Sequence, residues 1–141
     1  MLKRLEQMAA GDGRFRRTPQ RLAILEYLHG NTSHPSAEDV YAAVSKRHRS
    51  MSLATVYNTL NTLVASGLVR ELTIDPDRRR YDPFLEPHHH LFCIDCRHVV
   101  DIKGKVTVGL PKSAVKGFAI SETRVDVYGS CPACRGRKRV Q

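Results

Sequence analysis

The sequence predicts an α+β fold in two parts: an N-terminal winged helix-turn-helix and a small C-terminal α/β part holding a four-cysteine zinc site. Three observations predict it. Up to Gly67, apolar residues recur at helical spacing between helix-start and glycine stop signals. After Gly67 a basic hairpin follows, and the spacing changes to that of short strands. Cys93-x-x-Cys96 and Cys131-x-x-Cys134 then supply two knuckles of the kind that hold structural zinc.

Each element has a local signal. Thr18 before Pro19 is an N-cap with proline at the first helical position, and Leu22, Leu25 and Leu28 follow before Gly30 stops the run. Ser36-Ala-Glu-Asp39 resembles a capping box and opens a second helix with Val40 and Val44 turned inward. Ser52 caps a third, whose Leu53, Val56, Leu60, Leu63 and Val64 share a face and which Gly67 closes. The opposite face is polar and uncharged, with Ala54, Thr55, Tyr57, Asn58, Asn61 and Thr62. "LVRELTI", "DPDR" and "RRYDP" spell strand, tight turn, strand, with Arg78, Arg79 and Arg80 at or just past the tip. "PFLEP" reads as a hinge between prolines. Beyond it "HHHLFC", "RHVVDI" and "AISETRVDVYG" read as short strands, with at most a short helix between them because Gly109 and Pro111 interrupt the stretch. The tail "GRKRVQ" is expected to be disordered. The predicted domains are 1–83, a hinge over 84–88, and 89–141.

The bulk numbers narrow the partners. Against 14 acids stand 23 Lys and Arg, a formal charge of +9, which suits a polyanion such as nucleic acid. There is no run of 18 apolar residues and no apolar core of a signal peptide, so the expectation is a cytoplasmic protein with no membrane partner. In a reducing compartment four cysteines point to metal ligands or redox thiols rather than disulfides.

The two CxxC pairs suit tetrahedral zinc, which binds soft thiolates well. "CPAC" also resembles a thioredoxin-type motif, but no βαβ pattern accompanies it. The stretch "HHHLFCIDCRHVVD" carries further donors. If its two halves pair with Cys93 opposite Cys96, His88 faces Asp101, with Cβ atoms ~4.5–5.5 Å apart. His90 shares the face of His88, and His89 points away. One face then presents two imidazoles and a carboxylate; the plainer alternative is a solvated histidine triplet.

At this point the chain resembles the Fur family of metal-dependent bacterial repressors. The resemblance rests on "TPQRLAILEYL", "HPSAEDVY", "SLATVYNTLNTLVASGLV", "RRYD", "HHHLFCIDC", "VVDI" and "VYGSCPAC", in that order, over nearly the whole chain. It implies an N-terminal winged helix and a C-terminal dimerisation domain joined by a hinge, and hence a homodimer on a palindromic double-stranded DNA operator. It places structural zinc on Cys93, Cys96, Cys131 and Cys134. It places a regulatory Fe2+ or Mn2+ on His34, Asp82, His88, His90 and Asp101, of which His34 and Asp82 come from the resemblance alone. Asp82 stands where the iron-uptake regulators usually carry Glu, as in the peroxide-sensing branch, and Thr123 stands where a second-site histidine would be. The stretch 103–117 is shorter and more broken than the family's dimerisation helix.

The expected function is a metal-dependent repressor that senses peroxide through iron-catalysed oxidation of a ligand histidine, His34 or His88. The ion would fasten the reading heads at the spacing of the operator. The alternative is an uptake repressor that senses iron, manganese or zinc alone. A third class, a zinc hydrolase, finds no HExxH and no general base. The third helix is the expected recognition helix, with Thr55, Tyr57 and Asn58 as base readers. Tyr57 and Asn58 match the family's contact positions; the competing role for Tyr57 is a half-buried core tyrosine. Arg14, Arg16, Arg17, Arg21, Arg70, Arg78, Arg79 and Arg80 are the expected phosphate contacts.

Overall fold

The structure, a computed structural model, describes residues 18–138. The chain divides between Leu85 and Glu86 into two compact units. Arg14, Arg16 and Arg17 lie outside the described residues, as do 139–141.

Among the described residues the first unit is a three-helix core with a two-stranded wing. Helix α1 (Pro19–Leu28) starts at Thr18, whose side chain accepts from the Arg21 amide. Its buried residues are Ile24, Leu25 and Leu28, while Leu22 is 41% exposed, against the expectation from spacing. A strict three-residue spacing slips by about 60° per step around a helix of 3.6 residues per turn, so Leu22 falls off the stripe. Helix α2 (Ala37–Val44) opens with the full capping box, Ser36 Oγ accepting from the Asp39 amide and the Asp39 carboxylate accepting from the Ser36 amide. Val40 and Val44 are buried as expected. Helix α3 (Leu53–Ala65) buries Val56, Thr59, Leu60 and Leu63. Val64 is half-buried and Leu53, the first residue of the helix, is exposed. Gly67 ends the helix at φ 65, where a Cβ would be strained.

These helices share one core with Met51, Leu68, Val69 and Tyr81. The wing strands β1 (Arg70–Leu72) and β2 (Arg80–Asp82) are antiparallel, with Arg70 opposite Asp82 and Leu72 opposite Arg80. Asp75 Oδ1 accepts from the Asp77 amide at their connection, the local bond that makes aspartate a turn residue.

The second unit is a three-stranded sheet. Strand β3 (His89–Cys93) lies in the middle, antiparallel to β4 (Val99–Ile102) and parallel to β5 (Asp126–Gly129). The parallel pair requires a crossover, and residues 103–125 make it without a described helix or strand. Phe92 is buried and meets Tyr128 edge to face at 5.7 Å. Its buried hydrophobics among the described residues are Phe92, Cys93, Val99 and Cys134, a small core for a unit of this length. Leu91, Val100, Val127 and Tyr128 are exposed. Helix α4 (Pro132–Lys138) carries the second cysteine knuckle, so Gly136 and Arg137 are helical rather than part of a disordered tail. Among the described residues no helix is long and apolar enough to cross a membrane.

Candidate metal centre and nucleic-acid interface

The four cysteines converge from two separated segments. Cys93 ends β3, Cys96 lies in the loop after it, Cys131 precedes α4 and Cys134 lies on α4. Their sulfurs all fall within 4.8 Å of one another, and Cys96 Sγ is 3.8 Å from Cys131 Sγ. A tetrahedron with Zn–S bonds of about 2.3 Å has edges of ~3.8 Å, the Cys96–Cys131 spacing, and the cluster as a whole is compact enough to close on zinc. A disulfide needs sulfurs ~2.0 Å apart, and all four cysteines are free. The backbone amides of Cys96 and Cys131 lower the Cys93 thiol to about 6. A side-chain hydrogen bond with Cys131, then burial, pushes Cys134 up to about 12. Loading zinc therefore means displacing protons from this cluster. Arg137 Nη2 sits 3.8 Å from Cys134 Sγ and offsets part of the thiolate charge.

The histidine face is present, but in a different register. His90, not His88, stands opposite Asp101, and His89 stands opposite Ile102. The loop is longer than expected: the Cys93 amide bonds the His98 carbonyl, and Arg97 at φ 63 returns its amide to the Cys93 carbonyl. Pairing thus slips by two residues, which returns every side chain to the same face. His88 Nε2 still lies 3.5 Å from Asp101 Oδ1, and His90 Nε2 lies 3.8 Å from the same oxygen.

Tautomers sharpen this triad. His88 Nδ1 bonds the Glu86 carbonyl at 2.7 Å. A carbonyl only accepts, so Nδ1 carries the proton and neutral His88 turns its Nε2 lone pair toward Asp101. His88 Nε2 and Asp101 Oδ1, 3.5 Å apart, are spaced to share a cation, a proton or a metal ion. His90 Nδ1 lies 3.4 Å from Asp126 Oδ1, the carboxylate–imidazole arrangement that orients metal-binding histidines. No sequence signal announces Asp126, because its strand is parallel to β3 and distant from it in sequence. His89 is buried and its Nδ1 accepts from the Val125 amide, so it fastens the returning crossover instead of joining a second site.

The first unit holds the other two candidate ligands. His34 and Asp82 are each 1% exposed, with one ligand atom of each within 4.8 Å. Asp82 ends β2, and its Oδ1 accepts from the Phe84 amide. His34 has φ 50, a left-handed conformation that costs about 1–3 kcal/mol in a non-glycine residue and clusters at functional sites. Its neighbourhood is held by Pro35, whose carbonyl accepts from the Tyr81 amide, and by Arg80, which reaches the His34 carbonyl at 3.5 Å.

Arg80 corrects the expected phosphate set. It is 8% exposed and gives Asp75 two hydrogen bonds, of 3.0 and 2.8 Å, with Asp39 at 3.6 Å. Being opposite Leu72 and two residues before Asp82, it points inward with them. Arg70 is also largely withdrawn, donating to the Leu85 carbonyl at 2.9 Å and lying 3.9 Å from Asp82. Arg78 and Arg79 are exposed on the wing, with Arg79 3.4 Å from Glu71, and Arg21 is half-buried on α1.

On α3, Tyr57 and Asn58 are exposed. Thr55 is half-buried and its hydroxyl lies 2.8 Å from Ser52 Oγ within the N-cap, which limits its use as a base reader. Tyr57 is not a core residue: it is 36% exposed, and its hydroxyl donates to Glu38 Oε1 at 2.6 Å. Glu38 was not foreseen, since nothing in the sequence pairs residues nineteen apart.

A family model described as the ferric uptake regulator family matches residues 13–128. Over 119 residues the chain is 42% identical to a peroxide operon regulator of Bacillus subtilis, covering 83% of this chain and 82% of that protein. Over 120 residues it is 35% identical to a peroxide-responsive repressor of Staphylococcus epidermidis, covering 84% and 80%. Among solved structures, a Campylobacter jejuni peroxide stress regulator aligns with a TM-score of 0.62 at 31% identity, covering 95% of this chain and 96% of that one.

Proposed function

This chain belongs to the ferric uptake regulator family, and from that premise we propose that it is a metal-dependent, DNA-binding repressor that responds to peroxide. It is a regulator and not an enzyme. The observation that carries the reading is the donor chemistry: a His34–Asp82 pair and a His88–His90–Asp101 triad, all nitrogen and oxygen, separate from the thiolate cluster. Soft thiolates suit structural Zn2+ at Cys93, Cys96, Cys131 and Cys134, while imidazole and carboxylate suit Fe2+ or Mn2+.

In this proposal all five nitrogen and oxygen donors serve one regulatory ion. Asp82 and Asp101 balance its charge, Glu86 fixes the His88 tautomer, and Asp126 orients His90. Because the ligands come from 1–83 and from 88 onward, loading would restrict the hinge at 84–88 and favour the DNA-competent state of a homodimer. The exposed Leu91, Val100, Val127 and Tyr128 supply apolar surface for the second copy. The operator is palindromic in keeping with that symmetry, and the working compartment is the cytoplasm. Helix α3 reads bases through Tyr57 and Asn58, and Arg78 and Arg79, with Arg17 and Arg21, hold phosphates.

Fe2+ held by His34, Asp82, His88, His90 and Asp101 would supply the reducing equivalents for peroxide chemistry beside those ligands. In this reading His34 or His88 takes up the oxygen, and its loss as a donor ends the preference for the DNA-competent state. The test is operator binding by Fe2+- and Mn2+-loaded protein before and after peroxide. Release confined to the Fe2+ form supports peroxide sensing, and equal response of both forms would leave a repressor of metal uptake.

A further inference from the structure

We propose that Glu38 is a specificity-determining residue of the DNA-reading surface: it positions the Tyr57 ring and, by its charge, disfavours DNA of arbitrary sequence. The inference rests on the assignment of α3 as the reading helix.

The contact is short and charge-assisted, 2.6 Å from the Tyr57 hydroxyl to Glu38 Oε1, and it joins the reading helix to the first turn of α2. Both residues are exposed, and with Ala37, Asp77, Arg78 and Arg79 they line one cleft between α2, α3 and the wing. The tyrosine oxygen lies on the axis of χ2 rotation, so a bond there restrains χ1 and thereby the position of the ring. With the hydroxyl directed to Glu38, the ring meets the groove as a rigid apolar surface, suited to a thymine methyl rather than to a hydrogen-bonding edge.

The charge has a second effect. Arg78 and Arg79 attract any phosphate, whatever the sequence. A carboxylate beside them opposes that attraction, so a mismatched duplex meets the repulsion without the compensating ring contact. Glu38 stays ionised for this role: the Tyr57 hydrogen bond, foremost, holds its carboxyl below the ordinary value, and its own backbone amide adds to this. The Tyr57 hydroxyl, bonded to Glu38, is correspondingly raised and stays neutral.

The experiment uses the full-length, Mn2+-loaded protein. Dissociation constants are measured across a salt series for a duplex selected from a random pool by the wild type, and for its scrambled counterpart. Glu38→Ala should bind the scrambled duplex roughly threefold tighter and lower the selected-to-scrambled ratio about tenfold. Glu38→Gln, which keeps a hydrogen-bond acceptor and the fold but removes the charge, should match the tightening on scrambled DNA and lose less of the ratio. In a Tyr57→Phe background, Glu38→Ala should lower the ratio no further than Glu38→Gln does. If Glu38→Ala keeps the wild-type ratio while Tyr57→Ala lowers it, Glu38 is only a surface tether and the proposal is overturned, with the repressor reading intact. If the wild type selects no sequence, both fall together.

Discussion

His90 stands directly opposite Asp101 in the β3–β4 ladder, and His88, two residues before it, reaches the same carboxylate oxygen at 3.5 Å. One acidic group thus faces two imidazoles, one on β3 and one just before it. Asp101→Asn preserves the shape and removes the charge. Regulatory metal affinity should fall at least about tenfold, measured by competition with a chromogenic chelator. Zinc content should stay unchanged, because the thiolate cluster shares no ligand with this face.

The zinc cluster ties Cys93 and Cys96 to Cys131 and Cys134 around a small core. Cys96→Ser should lose zinc and the dimer together, since metal binding of this kind is folding free energy. Elemental analysis with analytical ultracentrifugation checks it. A zinc-free variant that remains a stable dimer contradicts the structural role.

Neighbouring arginines on the wing should behave oppositely. Arg79 is exposed, so Arg79→Ala should weaken binding to all sequences alike and reduce the salt slope by about one. Arg80 is the buried partner of Asp75, whose side chain is 0% exposed. Arg80→Met should destabilise the first unit by about 3–5 kcal/mol in chemical denaturation, because a buried carboxylate loses its counter-charge.

The Glu38–Tyr57 contact predicts a pH window. Glu38 is depressed below its ordinary 4.5, so its contribution to stability is full above that value and is lost as pH falls through the lowered pKa. Tyr57 is raised above its ordinary 10.0, so its contribution is full below that value and is lost as pH rises through the raised pKa. The difference in denaturant midpoint between wild type and Glu38→Ala should be level between 4.5 and 10.0 and shrink at both ends.

What the sequence disclosed was local or periodic. The Ser36–Asp39 capping box spans three residues, and both partners were visible in one turn. The shared face of His88, His90 and Asp101 survived a wrong register because strand side chains alternate with period two. The register itself depended on loop geometry at Arg97, which no residue type announces. Arg80 looked like its neighbours Arg78 and Arg79 in composition; only the strand pairing turns it inward to Asp75. Asp126 and Glu38 are contacts across the fold, and a single chain carries no pattern for them.

In the proposed function, the identity of the ion held by His34, Asp82, His88, His90 and Asp101 decides whether peroxide is sensed. The most direct measurement is peptide mass spectrometry of the Fe2+- and Mn2+-loaded proteins after the same low dose of peroxide, with operator binding followed in parallel. The Fe2+ form should gain one oxygen atom on His34 or His88 and release the operator, while the Mn2+ form keeps both histidines intact and stays bound. Release accompanied only by cysteine oxidation and zinc loss, with both histidines unmodified, would contradict the account.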